Sequence, residues 1–161
     1  MNKFYKRIFK RNDNKNLFIY SKIEHTEKSG PELESNLLSY PHLRWHPLRQ
    51  EWITYAASRE NRTAFPPKEY CPLCPGGNLE FPTEIPFKNF DIAVFPNRWP
   101  SFKTHKNNFD IVGVETKPSI GICEVVVYSE KHDDTIADMP LDHIQLLVQT
   151  WKSMQALLGL M

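Results

Sequence analysis

Residues 140–159 read Pro140-Leu141-Asp142-His143-Ile144-Gln145-Leu146-Leu147-Val148-Gln149-Thr150-Trp151-Lys152-Ser153-Met154-Gln155-Ala156-Leu157-Leu158-Gly159. Leu141, Ile144, Val148, Trp151 and Leu158 recur at helical spacing, supplemented by Leu147 and Met154. Asp138 suits a cap, Pro140 fits the first turn and Gly159 is suited to end the helix. An apolar stripe this wide needs a sheet to cover. Strand signals upstream followed by one long helix make the expected class α+β, an antiparallel sheet with the long helix packed across it.

Working back from the helix, Gly121–Tyr128 alternates, with Ile122, Glu124, Val126 and Tyr128 facing one way and Cys123, Val125 and Val127 the other. Phe109–Val114 reads as another strand, joined to it by a turn around Lys117-Pro118, and Asp91–Phe95 as a short strand ending at Pro96. Between Ser58 and Phe87 stand Pro66, Pro67, Pro72, Pro75, Pro82 and Pro86 with Gly76 and Gly77, an irregular loop that something other than a strand ladder must hold. Trp45 and the run Trp52, Ile53, Tyr55 flank His46-Pro47-Leu48-Arg49-Gln50 and read as a hairpin.

Residues 1–40 are polar, without a clear period, and contain Gly30-Pro31, so they read as a basic, poorly ordered extension before an ordered domain at 41–161. Lys3, Lys6, Arg7, Lys10, Arg11 and Lys15 crowd its start against Asp13 alone. No apolar run follows that could serve as a signal-peptide core or a membrane span, and transit peptides are usually Ser-rich where this stretch has no Ser before Ser21. The chain of 161 residues is 40% apolar, with 20 basic and 19 acidic residues for a net charge of +1, so no basic field points to nucleic acid. The expectation is a soluble cytoplasmic protein with no nucleic-acid or membrane partner. Three cysteines, two of them in a CxxC, look like a metal or redox site and not a disulfide framework.

The CxxC, Cys71-Pro72-Leu73-Cys74, lies inside the proline-rich loop. Two thiolates at i and i+3 on a tight turn can reach one tetrahedral zinc and supply the cross-link the loop lacks. A redox pair would want a thioredoxin-like strand-to-helix setting; two unconnected thiols are the plainer alternative. Cys123 sits in a strand and reads as a small core residue. Among histidines, His132 follows the 121–128 strand in a loop and is the best candidate for a further ligand, although on its own it reads more plainly as a solvated loop histidine; His105 and His143 remain open, the latter reading as surface. Arg59 and Arg62 stand past a strand end, where guanidinium forks suit a diphosphate and also suit solvent. Asn97-Arg98 follows another strand end, a place for ligand contacts and equally for a turn.

The motifs keep a recognisable order: Leu43-Arg44-Trp45-His46-Pro47-Leu48-Arg49-Gln50-Glu51-Trp52, then Arg59 and Arg62, then Cys71-Pro72-Leu73-Cys74-Pro75-Gly76, then Phe95-Pro96-Asn97-Arg98-Trp99-Pro100. Gly121 to Val127, then Ser129-Glu130-Lys131-His132 with Thr135, and a helix carrying Trp151 complete it. Over about residues 43 to 158 this succession resembles the galactose-1-phosphate uridylyltransferases, members of the histidine-triad superfamily.

The resemblance implies that Cys71, Cys74 and His132 are three ligands of a structural zinc. It implies that Arg59, Arg62, Asn97 and Arg98 lie at the site holding a UDP-sugar. It further implies a homodimer acting on UDP-glucose and galactose 1-phosphate, with a histidine attacking the α-phosphorus to form a uridylyl-histidine. That nucleophile belongs to a His-Pro-His-Gly-Gln motif after the long helix. The motif is not in this sequence, so the nucleophilic histidine is expected beyond Met161 and the expected fold is an incomplete first histidine-triad-like half. Asn97-Arg98 stands where many members have Asn-Asp, and His46 where Asn is usual. These departures keep two alternatives in play: an ADP-sugar or dinucleoside-polyphosphate phosphorylase of the same superfamily, and a non-catalytic zinc-stabilised fragment.

Overall fold

The computed structural model describes residues 4–26, 32, 40–61, 66–104 and 110–159. Its strands are β1 (Tyr5–Lys10), β2 (Asn16–Ser21), β3 (His42–His46), β4 (Glu51–Tyr55), β5 (Ile92–Pro96), β6 (Thr116–Pro118) and β7 (Glu124–Val127), and helix α1 spans Leu141–Leu158. The strands make one four-stranded sheet, ordered β1-β2-β5-β7, and one three-stranded sheet, ordered β4-β3-β6. The class is α+β, as the sequence implies. The chain divides into two compact units, one of residues 1–34, 65–95 and 126–161, the other of residues 35–64 and 96–125.

In the first unit β2 pairs antiparallel with β1 and with β5, Phe18 opposite Val94 and Tyr20 opposite Ile92. These four side chains form one face of the sheet and pack with Leu146, Leu147 and Met154 of α1 into the core, with Val126 and Tyr128 at its margin. The opposite face carries Leu17, Ile19, Ala93 and Phe95, also buried. Phe9 and Phe87 meet there with ring centroids 4.1 Å apart and planes tilted by 45°.

Residues 1–40 do not read through as a poorly ordered extension, because residues 5–21 form β1 and β2, with Leu17 to Ser21 all buried. A strand buried on both faces is a continuous apolar run without alternation. β1 lies at the sheet edge and carries Lys6, Arg7 and Lys10, which make it look like a solvated tail. The buried face of α1 also differs. Leu146, Leu147, Thr150 and Met154 are buried, whereas Leu141, Val148, Trp151 and Leu158 are exposed. Thr150 can sit inside because its hydroxyl donates to the Leu146 carbonyl at 3.0 Å, which removes the usual penalty for a buried polar group.

The helix begins at Pro140, whose carbonyl accepts from the His143 and Ile144 amides at 3.0 and 3.1 Å. Asp138 instead accepts a hydrogen bond from the Thr135 hydroxyl in the preceding 3-10 turn. Gly159 ends the helix as expected, its amide donating to Gln155.

In the second unit the 42–55 hairpin forms as expected, with Trp45 opposite Trp52. Lys117-Pro118 is part of β6, opposite Leu43 and His42, and not a turn. Of the expected Phe109–Val114 strand, Phe109 lies outside the described residues; Ile111 and Val114 make one bridge about Gly113, whose φ of 77° turns the chain.

Candidate metal centre

The proline-rich loop enters the first unit through a 3-10 turn at Lys68–Tyr70, and the Cys71 amide donates back to the Lys68 carbonyl at 3.2 Å. The Cys74 amide then donates to the Cys71 carbonyl at 3.3 Å, which closes the turn and sets the two sulfurs on one side. Gly77 keeps the following chain close: its φ is +54°, and a Cβ there would lie 2.9 Å from the Phe81 carbonyl oxygen and from the Thr83 nitrogen. Further along the same loop the Glu84 amide donates to Pro72 O at 2.8 Å, and the Gly76 amide donates to Ile85 O at 2.9 Å. The segment 84–85 thus pins both ends of the cysteine turn.

His132 arrives from the loop after β7. Its Nδ1 lies 3.2 Å from Cys74 Sγ, and the donor atoms of Cys71, Cys74 and His132 all fall within 4.8 Å of one another. Cys71 is buried, Cys74 half-buried and His132 exposed. The Cys74 thiol is pushed up to about 11, first by burial and then by its hydrogen bond with Cys71 and that neighbour's charge. Lys68 and Asp133 act on it in opposite senses, Lys68 favouring the thiolate. Two sulfurs held this close resist ionising together, and a cation between them removes the conflict. With an imidazole nitrogen facing them, the donor set suits a divalent metal of borderline softness. An open cleft of about 460 Å³ lies beside His132, lined among others by Lys68, Lys88, Glu130 and Asp133.

The remaining candidates fall elsewhere. Cys123 is half-buried, and its carbonyl accepts from the Asn97 amide at 2.8 Å. His143 is not surface: its Nε2 donates to the Tyr128 carbonyl at 2.6 Å and its Nδ1 lies 4.0 Å from Asp91, so it ties the helix start to the end of β7. His105 and Arg62 lie outside the described residues.

In the second unit, Arg59 reaches the 97–101 turn, with Nη1 3.4 Å from Trp99 O and 3.2 Å from Ser101 Oγ. Asn97 Oδ1 accepts from the Trp99 amide at 2.9 Å, which makes the turn. The Arg98 guanidinium lies 5.3 Å over the Trp99 ring, and its Nε is buried without a hydrogen bond. Arg59, Asn97 and Arg98 are therefore gathered at one turn. The pinning role of Glu84 and Ile85 was not visible in the sequence, since backbone hydrogen bonds leave no residue-type signal.

The family described as galactose-1-phosphate uridyl transferase, N-terminal domain, matches residues 20–159. The galactose-1-phosphate uridylyltransferase of Thermotoga maritima is 40% identical over 112 residues, covering 68% of this chain and 33% of the relative. That of Streptomyces lividans is 29% identical over 109 residues, covering 68% and 26%, and that of Neurospora crassa 26% identical over 142 residues, covering 71% and 36%. A solved chain described as "Structure of uridylyltransferase" is similar with a TM-score of 0.49 and 24% identity, covering 71% of this chain and 34% of that one. This chain thus spans about a quarter to a third of the length of these curated relatives. No helix among the described residues is long and apolar enough to cross a membrane. By the extent of the match, the chain belongs to the galactose-1-phosphate uridyl transferase family.

Proposed function

We propose that this chain is the metal-bearing N-terminal part of a UDP-glucose–hexose-1-phosphate uridylyltransferase of galactose metabolism. The observation that carries the reading is the coincidence of the family match over residues 20–159 with a Cys71, Cys74 and His132 donor cluster inside it. The metal is zinc, in a structural role: two thiolates and an imidazole suit zinc, and joining the 71–74 turn to the loop after β7 supplies a cross-link where no strand ladder exists.

Arg59 and Arg98 supply cationic groups, and Asn97 an amide, for the diphosphate of a UDP-sugar, with Arg62 three positions after Arg59. The described domain is the first histidine-triad-like half of the enzyme, and the assembled enzyme is a cytoplasmic homodimer using UDP-glucose and galactose 1-phosphate. The His-Pro-His-Gly-Gln nucleophile motif does not occur in this sequence, so the test reads binding. Calorimetric titration of the zinc-loaded chain with UDP-glucose should give saturable binding that Arg59→Ala weakens and that ADP-glucose competes with poorly. Tighter binding of ADP-glucose, or none of either, would overturn the substrate reading.

A further inference from the structure

The first unit contains a buried ion pair that the catalytic and metal readings do not use. Arg11 Nη1 lies 2.7 Å from Glu84 Oε2, and both side chains are only 4% exposed. Glu84 is the residue whose amide holds Pro72 O, and its neighbour Ile85 holds the Gly76 amide. One residue thus has its backbone on the cysteine turn and its carboxylate on Arg11.

Arg11 is itself held firmly. Its amide donates to Lys15 O and its carbonyl accepts from the Asn14 amide, both at 2.9 Å, in the turn joining β1 to β2. Its guanidinium lies 5.9 Å from the centre of the buried Phe95 ring. The family match begins at residue 20, so this arginine comes from sequence outside it.

We propose that Arg11 is a positioning residue for the metal loop, acting through Glu84. The buried pair fixes where segment 84–85 sits, and that segment fixes the spacing of Cys71 and Cys74 toward His132. Partners that bond a metal ligand directly commonly tune affinity by about 10–100-fold. Arg11 acts at further remove, through Glu84 and the backbone of the cysteine turn, so its effect is expected at the lower end of that range. The proposal rests on the metal reading above, and its test is built to separate the two.

The full chain is compared with Arg11→Met, Arg11→Lys and the double variant Arg11→Met/Glu84→Met, whose apolar side chains fill the space without stranding a charge. Three readouts are taken: zinc affinity by chelator competition, the cobalt(II) ligand-field spectrum, and hydrogen exchange of the Gly76 amide in the metal-free chain. Circular dichroism identifies the folded variants. Arg11→Met is expected to bind zinc about 10-fold more weakly, to alter the cobalt spectrum and to speed Gly76 exchange, with Arg11→Lys recovering part of each. The double variant is expected to melt near the wild type and still bind zinc weakly, which a purely structural role would not produce. Wild-type affinity and wild-type Gly76 exchange in a folded variant would overturn the proposal. Wild-type chain that binds no zinc would overturn the metal reading. The metal-free exchange then decides the coupling alone, faster exchange supporting it and unchanged exchange overturning it.

Discussion

Cys74 Sγ stands 3.2 Å from His132 Nδ1, across 58 positions of sequence. That contact joins the proline-rich loop to the segment leaving β7. It brings a CxxC and an otherwise ordinary loop histidine into one donor set, and it lies within the region that matches the family.

Replacing His132 by Ala should therefore weaken zinc binding. Four-ligand zinc sites supply about 10–16 kcal/mol in all, so one ligand is worth roughly 3 kcal/mol, or about a hundredfold in affinity. Chelator competition measures it; His143→Ala, which removes no donor from the cluster, should leave zinc affinity within a few-fold of wild type.

The two faces of α1 should respond differently to truncation. Leu146 is 0% exposed and Leu141 is 72% exposed. Leu146→Ala should lower unfolding stability by about 2–5 kcal/mol, while Leu141→Ala should stay within about 0.5 kcal/mol. Urea titrations giving the opposite order would mean the helix is rotated from the orientation described.

Gly77→Ala should destabilise the chain by about 1–3 kcal/mol, since the residue needs positive φ and its new Cβ meets backbone atoms that cannot swing aside. Gly113→Ala makes a useful comparison, because nothing lies within 4 Å of its Cβ position and only the φ cost applies. Equal melting temperatures for the two variants would count against the close approach at Gly77.

Acid should erase one electrostatic contribution. The hydrogen bond from Lys22 holds the Asp142 carboxyl below its usual range, outweighing the opposing effect of burial, and Lys22 Nζ lies 2.9 Å from Oδ2. A carboxyl lowered in the folded state stabilises above its unfolded value of about 3.9 and loses that contribution as pH falls through the folded value. The stability gap between wild type and Asp142→Asn should be small and constant near neutrality, and should close on acidification through that range. A gap that widens with acid would contradict the pairing.

The sequence revealed the parts whose signals are local. Trp45 and Trp52 flank a compact turn and form the hairpin, while Cys71 and Cys74 sit on a turn because proline and glycine surround them. Parts set by tertiary packing were hidden. β2 is buried on both faces and so lacks alternation, and β1 wears the charges of an edge strand. The buried stripe of α1 includes Thr150, which an apolar count skips, so the apolar pattern points about one residue's step round from the buried face. His132 was found from its position and the resemblance. The Arg11–Glu84 pair left no trace, because a charge pair buried between distant segments looks like two solvated residues.

The most direct test of the central claim is zinc X-ray absorption on the purified chain, with metal content measured on the same sample. The expected result is one zinc per chain with two sulfur neighbours at about 2.3 Å and nitrogen at about 2.0 Å, the sulfur shell shrinking in Cys74→Ser. A chain that retains no zinc, or holds it through oxygen and nitrogen alone, would contradict the assignment of Cys71, Cys74 and His132 as a metal centre.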